Sequence, residues 1–195
     1  MMRKILVLVI LFALTTTTTT FAQFELGVRG GFNFATFSAL PNGVDNDGAR
    51  IGIHLGAYSR FQLPQGIYLQ PELLISQKGG KLAIPAINRS FTTKITTIDL
   101  PIIVGYNLKP VRLGLGPVIG FVISARSESG GRTDDVLDDT NKTLMGLQIG
   151  VGFDPIEKLG VDLRYEVGLT KLSNRIADDN TKTNVIQLTV SYRLK

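Results

Sequence analysis

Asp162, Arg164 and Glu166 alternate with Val161, Leu163, Tyr165 and Val167 in the stretch VDLRYEVGL. Two carboxylates near each other are what a glycosidase uses, one as general acid and one as base or nucleophile. Here an arginine stands between them on the same face and favours the ionised form of both, whereas a general acid must keep its proton. An esterase or a lipid deacylase would need a histidine base beside a serine nucleophile. His54 is the single histidine of the chain, and its same-face neighbours on an extended strand are Gly52 and Gly56. The acidic stretches VDNDG (Val44–Gly48) and DDVLDDTN (Asp134–Asn141) lack the full spacing of a calcium loop. The expectation is therefore a protein that is not an enzyme, with no catalytic, cofactor-binding or metal-ligating residues.

The elements that carry these side chains are strands. The chain is a succession of period-two patterns with almost no helical signal. ARIGIHLGAYSRFQL (Ala49–Leu63) sets Ile51, Ile53, Leu55, Ala57 and Phe61 against Arg50, Gly52, His54, Gly56, Tyr58, Arg60 and Gln62. The same alternation starts at Phe24 and recurs from Ile67, Thr97, Val111, Leu144, Leu159 and Asn184, which makes eight strands. Long connections fall after strands one, three, five and seven: Ser38–Gly48, Lys81–Ser90, Ser127–Lys142 and Ser173–Thr183. Tight turns follow the even strands, at Pro64–Gly66, Lys109–Pro110 and Pro155–Lys158. All long loops thus lie at one end, with the tight turns and both termini at the other. This is the plan of an all-β, eight-stranded antiparallel up-and-down transmembrane β-barrel with short periplasmic turns and longer extracellular loops.

Three features orient the barrel with its apolar face outward. That face carries almost no charge across the strand middles, as lipid contact requires. The other face mixes long charged side chains with glycines (Gly52, Gly56, Gly114, Gly116, Gly120, Gly146, Gly150, Gly152), which suits the narrow interior of eight strands. Phe24, Phe61, Tyr106, Phe153 and Tyr192 share the apolar face at the tight-turn end, one half of an interfacial aromatic girdle. The lumen then receives Glu25, Arg29, Arg50, His54, Arg60, Glu72, Asp99, Arg112, Asp162, Arg164, Glu166 and Arg193. Charges in so narrow a space must be paired, so a plug of ion pairs is expected, with Asp162, Arg164 and Glu166 meeting partners on strands six and eight or across the bore.

The amino terminus reads as an export signal. Arg3 and Lys4 precede the apolar run Ile5–Leu14 and a threonine tract, and Thr20 and Ala22 are the small residues a signal peptidase reads, placing cleavage after Ala22. The apolar run is about ten residues, too short to span a membrane as a helix. Residues 1–22 are thus the expected signal peptide and 23–195 the barrel domain. Losing Arg3 and Lys4 lowers the formal charge from +5 to +3, with no basic stripe for nucleic acid. With no cysteine in the chain, disulfides and a lipid-anchored start are excluded.

YLQPELLISQKGGK (Tyr68–Lys81), TTIDLPIIVGYNL (Thr96–Leu108) and RLGLGPVIGFVISAR (Arg112–Arg126) resemble the strand motifs of the PorT-like outer-membrane β-barrel family of Bacteroidota. GVRGGFNFATF and LTVSYRL are similar to that family's first and last strands. The resemblance implies an outer-membrane location and a Gram-negative source, and it carries no catalytic residues. Partners expected from the whole reading are outer-membrane lipid and lipopolysaccharide, the barrel-insertion machinery, and a surface polysaccharide or protein met by the long loops. The expected role is structural or interactive at the cell surface. The alternatives are an accessory of type IX-like secretion, a small-solute pore and a secreted barrel that binds a ligand.

Overall fold

A computed structural model of the protein describes residues 24–41, 43–173 and 180–195. Eight long strands run through them: β1 (Phe24–Ser38), β2 (Arg50–Gln62), β3 (Ile67–Ile84), β4 (Arg89–Leu108), β5 (Val111–Ser129), β6 (Thr143–Ile156), β7 (Leu159–Gly168) and β8 (Lys182–Arg193). Each pairs antiparallel with the next in sequence, and β1 pairs with β8 from Gly27↔Arg193 to Ser38↔Lys182. The strands therefore form a ring in which every backbone donor and acceptor of the wall can find a partner, the condition for crossing hydrocarbon. The predicted residues 1–22 and part of the predicted loop Ser173–Thr183 lie outside the described residues.

Burial inverts the pattern of a water-soluble protein. Along β7, Val161, Leu163, Tyr165 and Val167 are exposed while Asp162, Arg164 and Glu166 are buried. The same holds around the ring, where Leu55 is 67% and Leu115 56% exposed while Arg29 and Arg112 are almost fully buried. A continuous apolar belt around a polar interior is stable only with lipid outside, because in water it would leave large apolar area hydrated. Leu163→Arg, at mid-belt, is expected to destabilise the folded barrel by about 2–4 kcal/mol. Urea titration in phospholipid vesicles measures this; a loss equal to that of a rim substitution would show that Leu163 is not at membrane depth.

The ends of the strands depart from expectation. Lys81–Ser90 is not a long loop: β3 runs to Ile84, β4 starts at Arg89, and the pair continues through Lys81↔Thr92 to Ile84↔Arg89. One turn at Pro85–Ile87, ending at Asn88 with φ 50°, reverses the chain. Beyond the lipid a strand has no reason to alternate apolar and polar residues, so KLAIPAINRSFTTK carries no period-two signal despite its β-branched threonines. Ser127–Lys142 is likewise partly sheet. β5 runs to Ser129, Gly130 and Gly131 turn with φ of 57° and 80°, and Arg132–Asp135 folds back along β5. On the periplasmic side the predicted turns are tight; β6 and β7 extend to Ile156 and from Leu159, with a register shift between Phe153 and Ile156.

The interior is not uniformly polar. Leu74, Ile103 and Val118 face inward at mid-barrel. Near the outer end Ile95, Val122 and Ala125 form a buried cluster against Val136, Leu137, Leu144 and Leu172. The segment after Asp135 thereby packs against this cluster, and farther on Thr140 pairs with Ser173.

Candidate functional site

The polar side chains of the inward face converge from all eight strands. At the periplasmic end, Glu25 of β1 accepts Arg60 of β2 at 2.8 Å and Arg193 of β8 at 3.1 Å. Arg60 also donates from Nε to Gln70 at 2.6 Å, and its guanidinium lies 5.3 Å from the Tyr58 ring and 5.4 Å from the Tyr68 ring. Stacking between two aromatic faces steadies the cation where water is scarce. The rings fit because glycines face them. A Cβ at Gly27 would lie 2.5 Å from Tyr58 Cε1, and one at Gly114 would lie 2.5 Å from the Tyr68 hydroxyl.

At mid-barrel the network crosses the bore. Glu72 of β3 takes hydrogen bonds from Arg29 of β1, from Arg164 of β7 at 2.9 Å and from Gln70 at 2.5 Å. β3 and β7 stand opposite each other in the ring, so this carboxylate ties the two sides of the wall together. Asp162 lies 3.4 Å from Arg112 and 3.7 Å from both Arg29 and Arg164. Arg112 is held bidentately by Asp154, at 2.8 and 2.9 Å. Arg164 further donates to Gln148 at 3.1 Å, and Gln148 to Gln187 at 2.7 Å.

Nearer the outer end, Lys78 of β3 bridges Asp99 of β4 at 3.0 Å and Glu166 of β7 at 2.5 Å. His54 contacts Asn33 Oδ1 through Nδ1 at 2.8 Å and the Thr189 hydroxyl through Nε2 at 2.9 Å. The Asn33 amide nitrogen donates to Ser76 and to the Gln77 carbonyl, so Asn33 Oδ1 is the acceptor and His54 Nδ1 the donor. Both ring nitrogens are thus engaged, and the Ser76 hydroxyl is bonded to Asn33.

Of the residues expected in the lumen, Arg29, His54, Arg60, Glu72, Asp99, Arg112, Asp162, Arg164 and Glu166 are buried there. Arg50 and Arg193 are half-buried near the two mouths, Arg50 donating to the Lys78 carbonyl at 2.9 Å. Asp162, Arg164 and Glu166 meet their charged partners chiefly on β1, β3 and β5; β6 offers Arg164 only an amide. The inventory of lumen charges omitted Lys78, although strand alternation puts it on the same face as Glu72. Tyr58, Tyr68, Gln148 and Gln187 were missed as network members because only charge was weighed. The glycines make room not only for long charged side chains, as at Gly150 and Gly152, but also for tyrosine rings, as at Gly27 and Gly114.

The girdle residues Phe24, Phe61, Tyr106, Phe153 and Tyr192 point outward near the tight-turn end, with the Phe24 and Phe61 rings 5.3 Å apart. A vestibule of about 860 Å³ opens there, its lining mixing Glu25, Lys109, Asp154 and Arg193 with Pro110, Pro155 and Ile156. Above it, the gap bordered by Tyr68, Gln148, Asp162 and Arg164 measures about 10 Å³, no more than one water. No cluster of three or more His, Asp or Glu side chains suited to a metal occurs among the described residues.

Residues 21–174 match the family described as outer membrane protein beta-barrel domain. Neisserial surface protein A is similar in structure, with a TM-score of 0.54 at 15% identity over 86% of this chain and 96% of its own. Ail, the attachment invasion locus protein of Yersinia pestis, was solved with the heparin analogue sucrose octasulfate. It is similar with a TM-score of 0.51 at 18% identity over 88% of this chain and 99% of its own. No curated protein matches the chain in sequence.

Proposed function

The chain belongs to the outer membrane protein beta-barrel domain family and resides in the outer membrane, and from this premise we propose a non-enzymatic surface protein whose lumen is a permanent plug. The observation that carries the reading is the bridge from Glu72 to Arg29 and Arg164 across the bore, with a gap of about 10 Å³ beside it. On this reading the side chains held in that geometry block a hydrated ion. The work of the molecule then falls to the outer end, where β3, β4 and β5 project as a sheet that extends to a turn at Pro85–Ile87. We read this sheet as the surface offered to a polysaccharide or a protein. In the same reading residues 1–22 direct export, residues 23–195 form the barrel, and the aromatic residues from Phe24 to Tyr192 anchor its periplasmic rim.

Planar-bilayer recording tests the plug. The purified barrel is expected to insert without steady conductance at neutral pH, and a stable open channel would overturn the reading. The PorT-like strand motifs favour one second role, an accessory to protein secretion across the outer membrane. Deleting the gene and measuring secreted protein separates the two, since a surface anchor leaves secretion unchanged.

A further inference from the structure

The vestibule at the periplasmic end has the form of a cup. Its floor consists of charges already tied down. Arg112 is clamped by Asp154, and one oxygen of Glu25 holds both Arg60 and Arg193, at 2.8 and 3.1 Å. Its rim is formed largely by the neighbouring turns at residues 109–110 and 155–158, joined where the Asp154 amide donates to the Pro110 carbonyl at 2.9 Å. Pro110 and Pro155 fix the backbone of these two turns, so little ordering is left to be done on binding. A volume of about 860 Å³ is in the range of small-molecule sites. The gap farther in, about 10 Å³, has room for one water. The cup is a place to bind, not an entrance.

Three charged groups of the cup are left wholly or partly unanswered, and they differ in sign. Arg193 has only the carboxylate that it shares with Arg60, and its Nε has no acceptor among the described residues. Arg112 shows what such a guanidinium edge takes, since its Nε and Nη2 both go to the carboxylate of Asp154, at 2.8 and 2.9 Å. Lys109 and Glu157, on the two joined turns, have no ion-pair partner among the described residues. Between them stand groups suited to a peptide bond. Asn107 accepts the Lys109 N–H with Oδ1 and keeps its amide nitrogen as a donor; Gln62 donates to Glu25 and keeps its oxygen as an acceptor. A simple anion would leave Glu157 unanswered, and a simple cation would leave Arg193 and Lys109.

We infer that the vestibule binds a short zwitterionic peptide from the periplasm, with the peptide carboxylate on Arg193 and Lys109 and its ammonium on Glu157. Free chain ends held by charge-assisted hydrogen bonds are a recurring form of peptide recognition. The inference rests on the periplasmic placement of the tight turns and not on the plug, because a barrel that conducts ions would carry the same cup.

The test titrates the full barrel in phosphatidylcholine nanodiscs with trialanine and follows the backbone amide resonances by NMR. Saturable shifts are expected at the turns that carry Lys109 and Glu157. N-acetyl-trialanine and trialanine amide each lose one charged end and are each expected to bind about tenfold more weakly. Glu157→Gln is expected to weaken trialanine about tenfold while leaving the N-acetylated peptide unaffected. Lys109→Gln is expected to weaken trialanine while leaving the amide unaffected, and Lys109→Arg to restore it. Equal affinity for the three peptides, shifts confined to the outer loops, or undiminished binding in both folded glutamine variants would overturn the inference. So would alanine binding as tightly as trialanine, which would mark a site for single amino acids. If the variants do not fold, the comparison of the three peptides on wild type decides alone.

Discussion

Replacing Glu72 with leucine is expected to lower the unfolding free energy of the barrel by about 3–5 kcal/mol. The carboxylate is fully enclosed and sits between Arg29 and Arg164, with Gln70 donating to the same oxygen. Its removal leaves two guanidinium groups facing each other, and the remaining anion, Asp162, is 3.7 Å from each and already shared with Arg112. An uncompensated buried cation costs far more than the pair gained when it formed. Glu25 offers the control, because it borders the vestibule and water can replace it at Arg60 and Arg193. Glu25→Leu is expected to cost clearly less. Urea unfolding in vesicles measures both, and a Glu72→Leu loss below about 1 kcal/mol, the range of an exposed pair, would show that water reaches the mid-lumen.

A second large effect is expected at Lys78. The ammonium is the cation that the structure places between Asp99 and Glu166. Lys78→Met leaves two buried carboxylates facing each other, at a cost of about 3–5 kcal/mol. The signature of pairing is rescue: adding Asp99→Asn and Glu166→Gln to Lys78→Met removes both uncompensated charges and should recover a substantial part of the loss. Residues in one network couple by about 0.5–3 kcal/mol, so the combined variant should be more stable than the sum of separate effects. Strict additivity in that cycle would mean that the three groups do not share a charge. Arg164→Leu belongs to the same class, and a folded variant with lower heat stability is its expected outcome.

Much of the barrel was legible because a membrane imposes one rule on each residue. In β7 every second side chain meets hydrocarbon, so VDLRYEVGL cannot mix charge into its outer positions, and its alternation marks face and depth at once. Where lipid stops, the rule stops. The strands through Lys81–Ile84 and Arg89–Thr96 went unread because beyond the lipid no face has to alternate apolar with polar residues, and Ile95 is covered instead by the segment around Val136 and Leu137. Likewise the return of Arg132–Asp135 along β5 depends on backbone pairing and a Gly130–Gly131 turn, not on periodicity.

The lumen divides in the same way. Alternation alone assigns Asp162, Arg164 and Glu166 to the interior face of the wall. It does not say whom they meet, because partners in a closed ring are set by register and curvature across strands far apart in sequence. Arg164 and Glu72 are 92 positions apart and Lys78 and Glu166 are 88 apart, yet closing the ring sets β3 opposite β7 across a narrow bore. Side-chain length then decides which charges touch. Nor could spacing reveal that glycines at 27, 105 and 114 clear room for Tyr58 and Tyr68, since each clearance is made by a different strand. Which face each strand residue occupies was a property of the sequence; which charge answers which was decided only when eight strands closed around a narrow bore, where a buried charge left without a partner is costly.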